Sequence, residues 1–332
     1  MIRIWTTLAG STALAAGALA ASAAGGGVTS ASAAISAKIV REGICTAPVA
    51  HEALAARLSR DIKAALAGRH DEYGATVFDR TREVTCRLSE GHRFHSASVV
   101  KATILAALLR WHQETGKPLT STEKYLATLM ITQSDNDAAS ALWDELGHAR
   151  IQHFMDLARM TETELGPDGY WGLTEITARD ELTLLRLLTQ SNAVLSDYSR
   201  DYELGLMSRV ISSQRWGVPA GAPSGLTVHV KNGWLPEEVG GWHINSIGAF
   251  TGHGRDYMIV VLTDANPTME YGVDTVQRVA EVVHRDVNAG LPAAGAPLPA
   301  ASVIPAELSP DSAGTPTASG TPVTPEAERA RS

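Results

Sequence analysis

The sequence is short of positive charge, of long apolar runs, of cysteine and of aromatic residues, and each shortage narrows what the chain can be. Its 28 lysines and arginines stand against 36 aspartates and glutamates, a net charge of −8. No basic field exists to hold a nucleic acid backbone or an anionic membrane surface, so neither is an expected partner. No apolar run reaches the ~20 residues that span a bilayer. The nearest, Leu8 to Ala24, follows Arg3, is interrupted by Gly10 and Gly17, and is followed by small residues with Ala-x-Ala sites at Ala21-Ser22-Ala23 and Ala31-Ser32-Ala33. This is the pattern of a cleaved export signal over residues 1–34, with a membrane anchor as the alternative. The expected location is secreted or cell-wall associated, with no stable membrane span after cleavage. No cysteine near the end of the run offers a lipid attachment point.

The two cysteines, Cys45 and Cys86, allow at most one disulfide. Export would place them in an oxidising compartment, so a bond is expected, with two buried free thiols as the alternative. It would close a loop of about 40 residues and contribute roughly 3–4 kcal/mol on the chain-entropy account. Aromatic residues make up 5% of the chain and are absent beyond Ala289, where eight of the 15 prolines cluster between Pro292 and Pro325. Residues 289–332 therefore read as a disordered tail rich in Pro, Ala, Ser and Thr. No internal repeat is present, and a monomer is expected.

What remains is an ordinary globular stretch, preceded by a short segment over 35–50. His51 to His70 carries Leu54, Leu58, Ile62 and Leu66 at helical spacing. Strand-like runs follow at Ala75–Phe78 and Val84–Leu88. Helical segments then occupy Ser98–His112, Thr120–Ile131, Asn136–Leu146, Ala149–Met160 and Thr177–Leu188. Thr120 with Glu123 forms a capping box, and Gly147 is placed to end the helix before it. Strands return at Leu226–Val230, Trp242–Ala249 and Tyr257–Leu262, before a closing helix at Val273–Val287. This order predicts an α+β fold over residues 51–288: an antiparallel sheet flanked by the first and last helices, with a helical subdomain inserted at about 96–215.

Three short motifs carry chemistry, and each alone has an ordinary structural explanation. Ser98-Val99-Val100-Lys101 opens an apolar helix, where a three-residue step brings lysine beside serine. The same spacing at Ser121 and Lys124 fits a solvated helix start. Ser134-Asp135-Asn136 stands at a helix junction and is composed of capping residues. Lys231-Asn232-Gly233 ends a predicted strand, where an Asn-Gly turn would serve equally well. Read together and in this order, they resemble the signature set of class A β-lactamases and penicillin-binding proteins, Ser-x-x-Lys, Ser-Asp-Asn and Lys-Thr-Gly. The resemblance covers roughly residues 45 to 288 and extends to Arg179-Asp180, which looks like the pair that pins the loop below the active site.

The resemblance implies a secreted serine hydrolase acting through an acyl-serine on a β-lactam or a peptidoglycan peptide. Ser98 would attack the carbonyl, Lys101 would act as or support the base, and Ser134 would pass a proton to the leaving nitrogen. Asn136 would hold the lysine and the substrate amide. Lys231 would attract the substrate carboxylate, with Asn232 and Gly233 binding substrate. The backbone N–H groups of Ser98 and Trp234 would form the oxyanion hole. Arg179 and Asp180 would be structural, and no cofactor is implied.

Three features depart from the pattern. Asn232 stands where the family usually has threonine, which alters carboxylate recognition. The loop Gly166-Pro167-Asp168-Gly169-Tyr170-Trp171 lacks the glutamate that activates the deacylating water in class A enzymes. Asp168 is the nearest candidate base, with Glu164 and Glu175 on either side, and a solvated Pro-Asp-Gly turn is its plainer reading. Ser98 and Ser134 are only 36 positions apart, closer than in class A enzymes, which suggests a more open cleft. A cell-wall D-alanyl-D-alanine peptidase and a sensor that is acylated without turnover are the alternatives. His92 and His95 have no third ligand at a metal-like spacing and read as solvated strand-end histidines, so no metal is expected. Trp216, Trp234 and Trp242 fit a binding surface or core packing equally.

Overall fold

A computed structural model describes residues 39–167, 169–237 and 240–291. The expected export signal, Asp168 and the tail from residue 292 onward lie outside the described residues.

The α+β architecture is as expected. Seven strands form one antiparallel sheet in the order β1 (Ile39–Glu42), β2 (Cys45–Pro48), β4 (Val84–Leu88), β3 (Glu72–Asp79), β9 (Arg255–Asn266), β8 (Gly241–Gly252) and β7 (Thr227–Glu237). The small strands β5 (Arg93–His95) and β6 (Glu175–Thr177) pair with each other apart from it. Strand β9 shows why the sheet must be covered on both sides. Its residues Met258, Val260 and Leu262 belong to one apolar cluster, and Ile259 and Val261 to another. Alternate side chains point to opposite faces, so a continuous apolar run needs a layer on each.

One layer is helix α1 (Glu52–Ala65) with α7 (Met269–Val287), the first and last helices of the described chain. The other is helical: α2 (Val100–Thr115), α3 (Ser121–Thr132), α4 (Asn136–Ala158), α5 (Ala178–Thr189) and α6 (Asp197–Met207). Local chemistry sets their limits. Thr120 Oγ1 accepts from Glu123 N at 3.1 Å while Glu123 Oε2 accepts from Thr120 N, closing the expected capping box. Within α4, Gly147 has φ 67° and ψ 159°, so it breaks the helix into the two segments that the sequence suggests. Helix α6 and strands β1, β2, β5 and β6 are additions to the sequence reading.

Cys45 and Cys86 are joined by a disulfide. They are directly opposed across β2 and β4. No helix among the described residues is long and apolar enough to cross a membrane.

The main correction concerns the late strand. Lys231-Asn232-Gly233 does not turn. Strand β7 runs straight through it to Glu237, pairing Lys231 with Ile247 and Gly233 with Asn245 on β8. Cross-strand hydrogen bonding overrides the local turn preference of Asn-Gly here.

Candidate active site

The three motifs converge at the junction of the helical layer and β7. Ser98 lies in a single 3-10 turn, Ala97–Val99, that leads into α2, and it is fully buried. Ala97 before it has φ 46°, a left-handed conformation costly for a residue with a Cβ, which is the kind of strain that marks functional turns. The turn is held by three hydrogen bonds from two segments. Ser96 N donates to Thr174 O at 2.8 Å, Ser96 Oγ donates to Gly172 O at 3.4 Å, and Asn245 Nδ2 donates to His95 O at 2.8 Å.

Gly233 faces this turn. A Cβ there would stand 2.6 Å from Ser96 O, 2.8 Å from Ser98 N and 2.9 Å from Val99 N. The glycine of the third motif is therefore a requirement of close backbone approach, and it brings the Gly233-Trp234 peptide beside the Ser98 N–H.

The second motif caps a helix and also meets Lys101. Asp135 caps α4 by accepting from Ala138 N at 2.7 Å. Ser134, at φ 59°, turns both its carbonyl and its hydroxyl toward Lys101. The Lys101 ammonium nitrogen lies 2.7 Å from Ser134 O, 3.3 Å from Ser134 Oγ and 2.7 Å from Asn136 Oδ1. Lys231 reaches the same hydroxyl from the sheet, with Nζ 2.8 Å from Ser134 Oγ, and also donates to Asn232 O at 2.7 Å. Both lysines are buried. One hydroxyl thus stands between two amines.

Asn232 is placed differently from its expected substrate-binding role. It alternates to the opposite face of β7 from Lys231 and Gly233. Its Nδ2 donates to Gln214 O and Trp216 O, each at 2.9 Å, and its Oδ1 accepts from Ser246 Oγ at 2.5 Å. Its amide hydrogens are committed to the 214–216 segment, which leaves no donor for a carboxylate. Gln214 in turn donates to Gln133 O at 2.8 Å, linking that segment to the residue before Ser134. Gln214, Asn245 and Ser246 are positioning residues that no sequence motif marks.

The loop acids also resolve. Glu164 and Glu175 face each other in an isolated antiparallel bridge, and both carboxylates pair with Arg93, at 2.9 and 2.8 Å. Both carboxylates are surface groups held by Arg93. The fully buried ring of Trp171 stands with its centroid 4.6 Å from Lys101 Nζ, and its Nε1 donates to Ser140 Oγ at 3.1 Å.

Arg179 and Asp180 do not pair with each other. Arg179 projects outward to Glu90 and Glu162. Asp180 Oδ2 turns inward and accepts from Glu162 N and Thr163 Oγ1, each at 2.8 Å, which closes the base of the loop. Of the tryptophans, Trp216 and Trp234 pack edge to face at 5.9 Å within the core, as in the packing alternative, and Trp242 packs against the same cluster. His92 pairs with Glu72 at 2.9 Å near the surface. His95 departs from the expected solvated histidine. Its Nδ1 lies 3.0 Å from Glu237 Oε1, a partner 142 positions away that only the sheet brings near.

This fold and this constellation define a β-lactamase-related serine enzyme. The profile of the Beta-lactamase enzyme family matches residues 112–287, more than half of the chain, and the chain belongs to that family. The match begins after Lys101, so the placement of Ser98 and Lys101 rests on the geometry above. No curated protein sequence matches the chain. Among solved structures, the extended-spectrum beta-lactamase TLA-3 superposes with a TM-score of 0.62 at 15% identity, covering 68% of this chain and 97% of its own. A beta-lactamase from Sphaerobacter thermophilus gives 0.60 at 19% identity, with 71% and 99% covered. A PBP-A mutant solved as an acyl-enzyme complex with penicillin G gives 0.58 at 20% identity, with 69% and 95% covered. At these identities the likeness is one of fold.

Proposed function

We propose that the protein is an exported serine hydrolase that forms an acyl-serine at Ser98 with a β-lactam or a related peptide amide. The observation that carries this reading is the shared hydroxyl. Ser134 Oγ lies 3.3 Å from Lys101 Nζ and 2.8 Å from Lys231 Nζ, so a proton path leads from the lysine beside the nucleophile to the cleft.

In the acylation step Ser98 Oγ bonds to the carbonyl carbon and the amide C–N bond breaks. Lys101, as a neutral amine, takes the Ser98 proton, and Ser134 delivers a proton to the leaving nitrogen and is reprotonated through the lysines. The developing oxyanion sits between the N–H groups of Ser98 and Trp234, which the bare Gly233 allows to approach. Asn136 holds Lys101, and the Lys231 charge attracts the substrate carboxylate without help from Asn232. Asp180 and Arg179 shape the loop. Export fits the disulfide between Cys45 and Cys86, since such bonds persist in oxidising compartments.

A second reading concerns the fate of the adduct. Of the three candidate loop acids, Glu164 and Glu175 are held by Arg93, which leaves Asp168 as the candidate to activate water, with Trp171 beside Lys101. This favours slow deacylation, as in a cell-wall peptidase or a sensor acting on peptidoglycan peptides.

The test is incubation of the mature protein with a chromogenic β-lactam, with intact mass recorded alongside absorbance and Ser98→Ala as control. Continuous absorbance growth that the control lacks supports a hydrolase. One stoichiometric burst with a persistent adduct supports the second reading. Absence of both turnover and adduct on the wild-type chain rejects the assignment of Ser98.

A further inference from the structure

At the corner of the sheet where the β7–β8 hairpin closes, four polar side chains from four strands converge. His95 ends β5, Glu237 ends β7, His243 stands near the start of β8 and Asp264 near the end of β9. Glu237 Oε1 lies 3.0 Å from His95 Nδ1 and 2.7 Å from His243 Nε2, and Asp264 Oδ1 lies 3.4 Å from the same His243 nitrogen. The donor atoms of His95, Glu237 and His243 all fall within 4.8 Å of one another. His243 is buried at 3% exposure, while His95 and Glu237 keep about a third of their side chains open, 32% and 31%. The cluster therefore has a fixed floor and an entrance.

The backbone builds this arrangement. Glu237 alternates with Lys231, Gly233 and Leu235 on one face of β7, and His243 lies opposite Leu235 on the same face. The register of β8 on β9 then slips, from Trp242↔Asn266 to Ile244↔Thr263. Asp264 and Ala265 oppose the single residue His243, and Ala265 takes φ 56° to accommodate the extra length. Bulges of this kind re-aim side chains. Asn266 locks it by donating to Trp242 O and Thr263 Oγ1, at 2.7 and 2.9 Å.

We propose that His95, Glu237 and His243, with Asp264 as the fourth donor, form a binding site for one divalent transition cation, for which zinc is the best fit. Two imidazoles and carboxylate oxygens are a zinc donor set, whereas magnesium and calcium take oxygen ligands. Ligands at ~2.0–2.2 Å around a tetrahedral ion stand about 3.3 Å apart. The pairs at 2.7, 3.0 and 3.4 Å lie near that spacing, while the two imidazoles, within the 4.8 Å that bounds the three ligand atoms, would draw together on the ion. The ion would tie the strand that enters the nucleophile turn, three residues before Ser98, to the β7–β8 hairpin.

The test uses tag-free chain stripped with a chelator, titrated with zinc chloride by calorimetry, and assayed for bound metal after gel filtration. Expected are one equivalent of zinc and a rise in Tm of about 5–10 °C at a hundredfold excess over Kd. Cobalt(II) should give the intense visible bands of a tetrahedral site. His95→Gln and Glu237→Gln, both at partly open positions, should each lose the equivalent and the bands while melting like the wild type in chelator. Absence of a stoichiometric equivalent on the wild-type chain overturns the site, independently of the variants and of whether Ser98 is acylated. Retention of full binding by the double variant also overturns it, by assigning the metal to other surface groups.

Discussion

Lys231 Nζ donates to Ser134 Oγ at 2.8 Å, so a lysine on the edge strand of the sheet and a serine between two helices, 97 positions apart, are joined through one hydroxyl. Ser134→Ala removes the hydroxyl that both Lys101 and Lys231 contact. Acylation of Ser98 is expected to slow by about 10²–10⁴-fold, the range of a lost proton-transfer group, with the fold retained. Stopped-flow acylation by a chromogenic β-lactam measures it, and an unchanged rate would remove Ser134 from the proton path.

Gly233→Ala is expected to be worse than its size suggests. The added carbon would meet backbone atoms of Ser96, Ser98 and Val99 at 2.6–2.9 Å, and backbone cannot rotate away as a side chain can. Strand β7 must shift from the nucleophile turn, so acylation should drop by at least about 10²-fold, the effect of one displaced oxyanion donor. Near-normal acylation with a lowered melting temperature would separate packing from chemistry.

Asp180→Ala removes the acceptor of the Glu162 N–H and the Thr163 hydroxyl in a buried position. Each orphaned donor costs about 1–3 kcal/mol, so a loss of roughly 2–6 kcal/mol is expected in urea unfolding. Asp180→Asn, which keeps one acceptor oxygen, should recover part of it.

Acid should destabilise the protein through His284. Burial holds this imidazole down at about 4, against the weaker opposing effect of its bond to Val218 O. Its Nε2–H donates to that carbonyl at 2.8 Å, and its Nδ1 accepts from the Tyr257 hydroxyl at 2.6 Å, so the folded site is built for the neutral ring. The unfolded chain takes up the proton first, at about 6.5. Stability should be full above that pH, fall by roughly 3 kcal/mol between about 6.5 and about 4, and then level off. Urea titrations at stepped pH read the slope, which should flatten in His284→Gln.

Glu203 has the opposite sign. Its carboxyl is fully buried on α6, has no hydrogen-bond partner among the described residues, and burial pushes its pKa well above the usual carboxylate range. Such a group favours the folded state at low pH and weakens it as pH rises through the folded value. Glu203→Gln should therefore melt higher than the wild type at pH 8, with the difference shrinking toward pH 4. Equal melting at both values would mean that the carboxylate finds a partner on ionising.

Much of the molecule is legible along the chain. The stripe of Leu54, Leu58 and Ile62, the Thr120–Glu123 box and the break at Gly147 each depend on residues within a turn or two of one another, and the structure reproduces them. The motif residues were likewise findable, because Ser-x-x-Lys and Ser-Asp-Asn are local patterns. Asn232 shows the boundary. Its identity is plain in the sequence, but its direction depends on strand alternation beyond Val230, which the Asn-Gly pair disguised as a turn.

The sequence by itself determined most of the long helices and central strands, where several of them stop, and which side chains are chemically able to act, since propensity, capping and periodicity act over short range. Only the tertiary structure decided which of those side chains meet. Sheet register set Gly233 against the Ser98 turn and gathered His95, Glu237, His243 and Asp264 at one corner. Loop closure gave both flanking glutamates to Arg93 and placed Trp171 beside Lys101. These contacts join residues tens to more than a hundred positions apart, and no periodicity records them, because their energy depends on the register of strands and the packing of layers.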